Sequence, residues 1–240
     1  MYLYMKKKRI KKKMFVTFLY PITKKDVSTY MEWGKKFTLL IPYELVVFTT
    51  DEIEIMVKTF RESLGFKTYF VRLSSFEKKN YIDVVNFKFD VFLETMRKFA
   101  DHERFIYIDF GIYKRGMTSD DFSVIDKLNR QSNNPSKSVS FAIIDPYKKL
   151  RNYDGFLWIA AAGLITFDND KNSVCFFKEC KKMHEKYPSA LEETIMWLLW
   201  KKNIFSIHPF YANYNTLFLK YYGDWDVKNA KDQRKTGNHR

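Results

Sequence analysis

Phe105-Ile106-Tyr107-Ile108-Asp109-Phe110-Gly111-Ile112 is the stretch that decides the predicted fold. Its first four residues are β-branched or aromatic, which is typical of a buried strand. An acid follows directly, and a carboxylate at the end of a buried strand does not serve packing. In open α/β sheets, ligands bind at the edge where the strands end. We therefore expect Asp109 to contact a metal, a ribose or a reacting hydroxyl, with capping of the next turn by its side chain as the alternative.

Strand and helix patterns alternate along the chain up to Asp109. Strands are predicted at Met14–Tyr20, Leu45–Thr50, Lys67–Leu73 and Phe105–Ile108, and helices from Asp26 or Ser28 to Phe37, from an Asp51 cap to Gly65, and at Phe87–Phe99. Alternation of this kind predicts an α/β fold with a mostly parallel central sheet, flanked by the helices that join its strands. The strand that ends at Asp109 is expected to be central.

The order of elements becomes less regular after Asp109. Helices are predicted at Asp120–Leu128, Lys171–Lys186 and Ala190–Lys202, the last capped by Ser189, and strands at Val139–Ile144 and Leu157–Phe167. The remainder, Ile204–Trp225, has no clear period. There is no internal repeat and no linker, so we expect a single domain, Met14–Trp225, between a basic N-terminal arm, Met1–Lys13, and a flexible basic tail, Asp226–Arg240.

The positive charge of the chain is concentrated in its two ends. The formal net charge is +14 over 240 residues. Seven of these charges lie in Lys6–Lys13 and a net +3 in Asp226–Arg240, which leaves +4 for Met14–Trp225. The arms could contact a polyanion or an anionic membrane surface, or simply keep the protein soluble. The nearly neutral body is ordinary for an enzyme that handles anionic substrates, and we expect no specific nucleic-acid partner.

Cysteine use and hydropathy bear on the compartment. The two cysteines, Cys175 and Cys180, lie five residues apart in a predicted helix, which suits neither a disulfide framework nor a usual zinc site. The longest apolar runs, such as Phe156–Phe167, are too short to span a bilayer as helices. No signal peptide follows the basic N-terminus. We therefore expect a cytoplasmic location.

Two further segments carry candidate site residues. Ala162 and Gly163 lie in a run of small residues inside an otherwise bulky strand, which indicates close approach by a ligand or by a neighbouring helix. Glu192 and Glu193 open a predicted helix. Acids are favoured there by the helix dipole, but either carboxylate could also serve as a general base or anchor a substrate.

Other candidates stand near the predicted ends of strands. An aromatic residue such as Tyr20 could stack on a base, Arg72 could meet a phosphate, and Thr17 lies close to the same edge. His208 could be a metal ligand, although a lone histidine is more often a core or hinge residue. The sequence contains no Gly-x-Gly-x-x-Gly and no Walker pattern, so any phosphate must be held by a metal or by lysine and arginine.

The order of these segments resembles the bacterial HtrL/YibB-type proteins, which are assigned to glycosyltransferases with a GT-A-like nucleotide-sugar fold. The resemblance covers about Met14 to Trp225. The similar segments are Val16–Tyr20, Tyr30–Phe48 with Trp33, Phe105–Ile112, Ala162-Gly163, Leu191–Thr194 and Tyr221–Trp225. Each motif is short, and the order of the set makes it more specific than any one motif.

The resemblance implies transfer of a sugar from a nucleotide-diphosphate sugar, such as a UDP-sugar, to the hydroxyl of a glycan or glycoconjugate. It implies that Asp109 binds the ribose and a divalent metal, Mn²⁺ or Mg²⁺, which neutralises the diphosphate. Gly111 stands where the second acid of the Asp-x-Asp motif is expected. The nucleotide-binding set would be Thr17, Tyr20, Arg72, Asp109, Gly111, Ala162 and Gly163.

The missing second acid leaves the metal ligands open. Asp109 could share a metal with His208 or Asp224, or lysine and arginine could take the place of the metal. If transfer inverts the configuration, Glu193 or Glu192 would be the catalytic base. If configuration is retained, no base of that kind is required.

Two other functions remain alternatives to the transferase. A nucleic-acid-binding protein that acts through its basic arms would lose affinity steeply as salt rises. An inactive GT-A-like protein that serves as an interaction module is the other, because a fold does not ensure its chemistry.

Overall fold

The computed structural model describes residues 12–20, 24–73, 81–112, 119–130, 138–147 and 159–212. The described strands are β1 Lys13–Phe18, β2 Leu45–Thr49, β3 Thr68–Arg72, β4 Arg104–Ile108, β5 Val139–Ile143, β6 Ala160–Asp168 and β7 Phe210–Tyr211. The described α-helices are α1 Lys24–Lys36, α2 Asp51–Ser63, α3 Tyr81–Asn86, α4 Lys88–Lys98, α5 Ser119–Arg130, α6 Lys171–Lys186 and α7 Glu192–Lys202. All described strands belong to one sheet.

The sheet has the order β3-β2-β1-β4-β6-β5-β7, with β4 at its centre. Strands β3, β2, β1 and β4 are mutually parallel, and β7 is parallel to β5. Strand β6 runs antiparallel to both of its neighbours. The predicted α/β fold with a mostly parallel sheet is confirmed. The reversal of β6 was not predicted, because a strand buried on both faces has the same apolar sequence in either direction.

Helices cover both faces of the sheet, and successive residues of β4 contribute to opposite cores. Phe105 and Tyr107 pack with residues of α4, α6 and α7, whereas Ile106 and Ile108 pack with residues of α1, α2 and α5. The Tyr107 ring makes an edge contact with Phe92 of α4 at 5.0 Å between centroids. Because side chains alternate along a strand, Asp109, which follows Ile108, is placed on the side of α4 and α7.

Helix boundaries were predicted less well than strands. Gly65 ends α2 in a left-handed conformation, as expected, and α6 has the predicted bounds. However, the N-cap of α2 is Thr50 rather than Asp51, and that of α7 is Leu191 rather than Ser189. A separate helix, α3, precedes α4. Capping depends on local backbone geometry that a residue type only favours.

Helix α1 lies close against the turn that follows β4. A Cβ atom built on Gly34 would stand 2.4 Å from Cε1 of Phe110, which is far inside van der Waals contact. Because Phe110 is buried, its ring has little room to withdraw. Gly34 therefore sets the distance between α1 and the segment that carries Asp109.

Gly34→Ala is expected to lower the free energy of unfolding by about 1–3 kcal/mol, although alanine is the better helix former by about 1 kcal/mol. The cause is overpacking against Phe110. Urea denaturation measures the change. Glu32→Ala, at an exposed position of the same helix, is the matched control and should leave stability unchanged. A Gly34→Ala protein as stable as the wild type would contradict this packing.

Two lysines of the predicted N-terminal arm belong to the folded part. Lys13 begins β1, and its Nζ donates to the Leu128 carbonyl at 2.8 Å. Lys12 forms an ion pair with Asp101. Among the described residues, no helix is long and apolar enough to cross a membrane.

Candidate active site

Asp109 lies directly after β4, at the carboxyl edge of the sheet. Its backbone N–H donates to the Gly163 carbonyl of β6 at 3.0 Å. Its Oδ1 accepts a hydrogen bond from the Gly111 N–H at 2.9 Å, which is the turn-capping contact given as the alternative in the sequence analysis. The side chain is nevertheless 35% exposed. Asp109 is thus both fixed by the turn and accessible to a ligand.

Lys88 of α4 bridges Asp109 and Glu192. Its Nζ lies 2.7 Å from Oε1 of Glu192 and 3.4 Å from Oδ2 of Asp109. The side chains of Lys88 and Glu192 are each only 7% exposed. Burial alone would lower the pKa of Lys88, but the neighbouring Glu192 and Asp109 outweigh it and hold that pKa well above its ordinary value. The site therefore contains a permanently charged ammonium.

Lys88 was missed in the sequence analysis. It lies on the buried face of α4, one turn before Phe92 and two turns before Thr95. A lysine on the apolar face of an amphipathic helix is the signal that could have revealed it, since a buried lysine requires a charged partner. The sequence did not indicate which carboxylate that partner is, because α4 and α7 are about 100 residues apart.

Glu193 contacts the strand beside Asp109. Its Oε1 accepts a hydrogen bond from the Ala162 N–H at 3.2 Å. That N–H belongs to a bulge, because Phe141 pairs with Ile165 while the next residue of β5 pairs with Ala161. Bulges are common next to active sites, where they redirect backbone groups. Glu193 and Asp109 are thus hydrogen-bonded to adjacent residues of β6, Glu193 through its carboxylate to Ala162 and Asp109 through its backbone to Gly163.

The small residues of β6 face a helix. Ala160 and Ala162 are buried in the same core as Ile195 and Met196 of α7. This is the neighbouring-helix alternative given in the sequence analysis. The small side chains let α7 approach the sheet closely enough for Glu193 to reach the bulge.

Aromatic rings surround the turn after Asp109. A Cβ atom on Gly111 would lie 2.6 Å from Cε1 of Tyr30, whose ring makes an edge contact with Trp33 at 5.1 Å between centroids. Tyr81 is 45% exposed, and burial together with Glu192 raises its pKa to about 12. Its hydroxyl is therefore neutral at physiological pH. Position 111 is a glycine because the Tyr30 ring occupies the space of a side chain.

Three other predicted residues lie at the ends of β1 and β3. The Thr17 hydroxyl is buried and donates to the Ile108 carbonyl at 2.7 Å, so it joins β1 to β4 beneath Asp109. Tyr20 is half-buried just after β1. Arg72 is exposed and forms ion pairs with acids of α2, at 2.9 Å to Glu54 and 3.2 Å to Asp51. Since β3 lies three strands from β4, Arg72 is about 14 Å from the Asp109 strand.

The structure does not bring His208 to Asp109. His208 lies beside Val139 and Ser140, to which its N–H and carbonyl are hydrogen-bonded. The order of the sheet separates it from β4 by three strands, or about 14 Å, so it does not lie beside Asp109. Within the described ranges, no group of three or more His, Cys, Asp or Glu residues could hold a metal ion. Asp224 and the rest of Tyr221–Trp225 lie outside the described residues.

Solved structures that this fold resembles include glycosyltransferases. Mouse xyloside xylosyltransferase 1, in its apo form, superposes with a TM-score of 0.50 at 8% identity, over 82% of this chain and 84% of that one. A glycosyltransferase involved in glycosylation of the PBCV-1 major capsid gives 0.47 at 10% identity, over 82% and 81%. The galactosyltransferase LgtC, solved with donor and acceptor sugar analogues, gives 0.49 at 13% identity, over 83% and 73%.

The similarity to the xylosyltransferase bears on the fold alone. The xylosyltransferase superposition and the sheet order show a GT-A-type fold, as the resemblance implied. No protein-family model and no curated protein matches the sequence, so membership of the HtrL/YibB-type group is not confirmed.

Proposed function

We propose that this protein is a glycosyltransferase that moves a sugar from a nucleotide-diphosphate sugar to a hydroxyl of a glycan or glycoconjugate. The observation that carries the proposal is the position of Asp109. It stands at the carboxyl end of the central strand of a GT-A-type sheet, and it remains one-third exposed although its oxygens are oriented by Gly111 and Lys88. A fixed carboxylate at that edge suits recognition of the donor nucleotide.

The remaining side chains supply complementary roles. Asp109 accepts hydrogen bonds from ribose hydroxyls of the donor, and the exposed Tyr81 ring and the Tyr30 ring offer faces for the base. Glu193 is the catalytic base for inverting transfer. It takes the proton of the acceptor hydroxyl as that oxygen bonds to the anomeric carbon and the bond to the diphosphate breaks. Glu192 is less suited to this role, because it is buried against Lys88.

The described residues do not fit the divalent metal implied by the resemblance. Of the two carboxylates that contact Lys88, only Asp109 is accessible, and one of its oxygens is held by the Gly111 N–H. The position of the second acid is a glycine covered by Tyr30. We therefore assign the contacts with the sugar nucleotide to protein side chains rather than to a metal ion.

Turnover assays on single variants test the proposed roles. Asp109→Asn is expected to lower the rate of nucleotide-diphosphate release from the preferred sugar nucleotide at least 100-fold, because the oriented carboxylate is lost.

Glu193→Gln should lower that rate by about 10²–10⁴-fold while nucleotide affinity changes little, because the base acts on the acceptor. The measurement is release of UDP or GDP from a panel of sugar nucleotides with sugar acceptors.

Glu52→Gln, at an exposed position of α2, is the control and should retain wild-type turnover. Circular dichroism checks that each variant is folded. Equal turnover in Asp109→Asn and wild type would contradict the assignment. Nucleotide binding with no turnover on any sugar nucleotide would instead favour the inactive interaction module.

A further inference from the structure

The ammonium of Lys88 lies beside Asp109, with Nζ 3.4 Å from Oδ2. We infer that Lys88 takes the place of a divalent cation, so that the site binds a nucleoside diphosphate without metal; this rests on the proposed function above. Lys88 is a positioning residue that acts through Asp109. Glu192 balances its charge in the interior, and Asp109 is left to accept hydrogen bonds from neutral hydroxyls.

Three contacts hold the ammonium in place. Nζ lies 2.7 Å from Glu192 and 3.4 Å from Asp109, and it stands 5.7 Å from the centroid of the Tyr107 ring. A cation near the face of an aromatic ring is attracted by its electrons. Tyr107 is fully buried, so this arrangement is shielded from solvent. The charge is therefore built into the interior rather than recruited from solution.

A metal at Asp109 would conflict with this arrangement. A divalent ion about 2.1 Å from Oδ2 would lie no more than about 5.5 Å from the Lys88 ammonium, and the two like charges would repel at low dielectric. Magnesium takes near-octahedral geometry, in which one or two carboxylates are usually joined by waters and substrate phosphates. Asp109 offers one partly engaged carboxylate, and Glu192 is buried against Lys88.

The second acid of the motif is excluded by packing. A Cβ atom at position 111 would lie 2.6 Å and 2.9 Å from two atoms of the Tyr30 ring and 3.5 Å from Trp33. A carboxylate there requires that Tyr30 be removed. Glycine at position 111 thus leaves no room for a second acid, and Lys88 supplies a fixed positive charge beside Asp109.

Manganese binding in the absence of nucleotide tests the inference directly. Electron paramagnetic resonance measures free Mn²⁺ during titration of the full chain. The wild type is expected to bind no Mn²⁺ with a dissociation constant below about 100 μM. Tyr30→Ala/Gly111→Asp, which opens the space and adds the second acid, should gain at least tenfold in Mn²⁺ affinity over Tyr30→Ala alone. Tight Mn²⁺ binding by the wild type that is lost in Asp109→Asn would overturn the inference.

Nucleotide titrations separate the inference from the proposed function. Calorimetry with UDP and with GDP is performed in EDTA and in Mn²⁺. At least one nucleotide is expected to bind the wild type in both buffers. Its dissociation constant in EDTA should lie within threefold of that in Mn²⁺. Binding that is more than threefold tighter in Mn²⁺ would overturn the inference and leave the proposed function standing. No binding in either buffer would overturn the proposed function, and the manganese titration then decides the role of Lys88.

A charge-neutral double variant distinguishes electrostatics from packing. Lys88→Met/Glu192→Met removes both buried charges without leaving either unpaired. It is expected to weaken binding in EDTA at least tenfold and to recover part of that loss in Mn²⁺, because the ion can now approach Asp109. A purely structural role for Lys88 predicts the same weakening in both buffers and would contradict the inference.

Discussion

Lys88→Met is expected to lower the free energy of unfolding by about 3–5 kcal/mol, because it leaves the buried Glu192 carboxylate without its cation. Urea denaturation at neutral pH measures the loss. Lys182→Met is the matched control. Its side chain is 71% exposed and its ammonium lies 3.5 Å from Glu179, and loss of such a surface pair should leave stability nearly unchanged.

Removing both charges should recover most of this stability. In Lys88→Met/Glu192→Met no buried charge is unpaired, and apolar replacements of a buried ion pair are often neutral or stabilising. If the double variant is as unstable as Lys88→Met, packing rather than the ion pair determines the loss. If Lys88→Met alone is as stable as the wild type, the buried ion pair between Lys88 of α4 and Glu192 of α7 is refuted.

The pH dependence of the free energy of unfolding should differ between the wild type and Lys88→Met at high pH. The pKa of Lys88 is raised in the folded protein, so its stabilising contribution is fully present below the unfolded value and is lost only as pH rises above it. Lys88 therefore adds no pH dependence to the stability of the wild type below about pH 9. In Lys88→Met this loss of stability at high pH should be absent, because the ammonium that titrates has been removed. Equal pH profiles of variant and wild type would contradict this.

Arg61→Leu is expected to lower the free energy of unfolding by about 4 kcal/mol, since several buried acceptors lose their donor together. Arg61 is fully buried in α2, and burial lowers its pKa to about 10, which still leaves it charged at neutral pH. Each of its five N–H groups donates a hydrogen bond, at 2.7–3.2 Å, to the carbonyls of Leu39, Ile41, Tyr43 and Lys67 and to the Thr68 hydroxyl.

Arg61→Lys should lose almost as much stability, because one ammonium with three donors cannot reach five acceptors. Arg97→Leu is the control, since among the described residues this exposed arginine forms an ion pair only with Glu94 of its own helix. Thermal and urea denaturation compare the three proteins. Stability of Arg61→Leu close to that of Arg97→Leu would show that water satisfies the acceptors and would refute the predicted cost.

The strands and the central place of Asp109 could be predicted from the sequence, because buried strands are continuous apolar runs that do not depend on distant residues. The contact between Lys88 and Glu192 could not, because it joins helices about 100 residues apart. The separation of His208 from Asp109 could not be predicted for the same reason, since only strand order places His208 three strands from β4. Long-range neighbours follow from topology, which periodicity does not determine.

Gly111 shows how a motif can mislead when its surroundings are unknown. In the sequence it is a missing acid, and the natural expectation is that another acid replaces it. In the structure the Tyr30 ring packs directly on Gly111, and the positive charge beside Asp109 comes from Lys88 of α4. Lysine was one of the sequence-based substitutes for the metal, and Lys88, buried on the apolar face of α4, is the lysine that we propose for this role.

A crystal structure of the protein with UDP or GDP tests the central claim most directly. We expect ribose hydroxyls within about 3.2 Å of the Asp109 carboxylate, with the base against the ring of Tyr30 or Tyr81. A nucleotide bound away from the carboxyl edge of β4, with Asp109 making no contact to it, would contradict the assignment of this edge as the donor site.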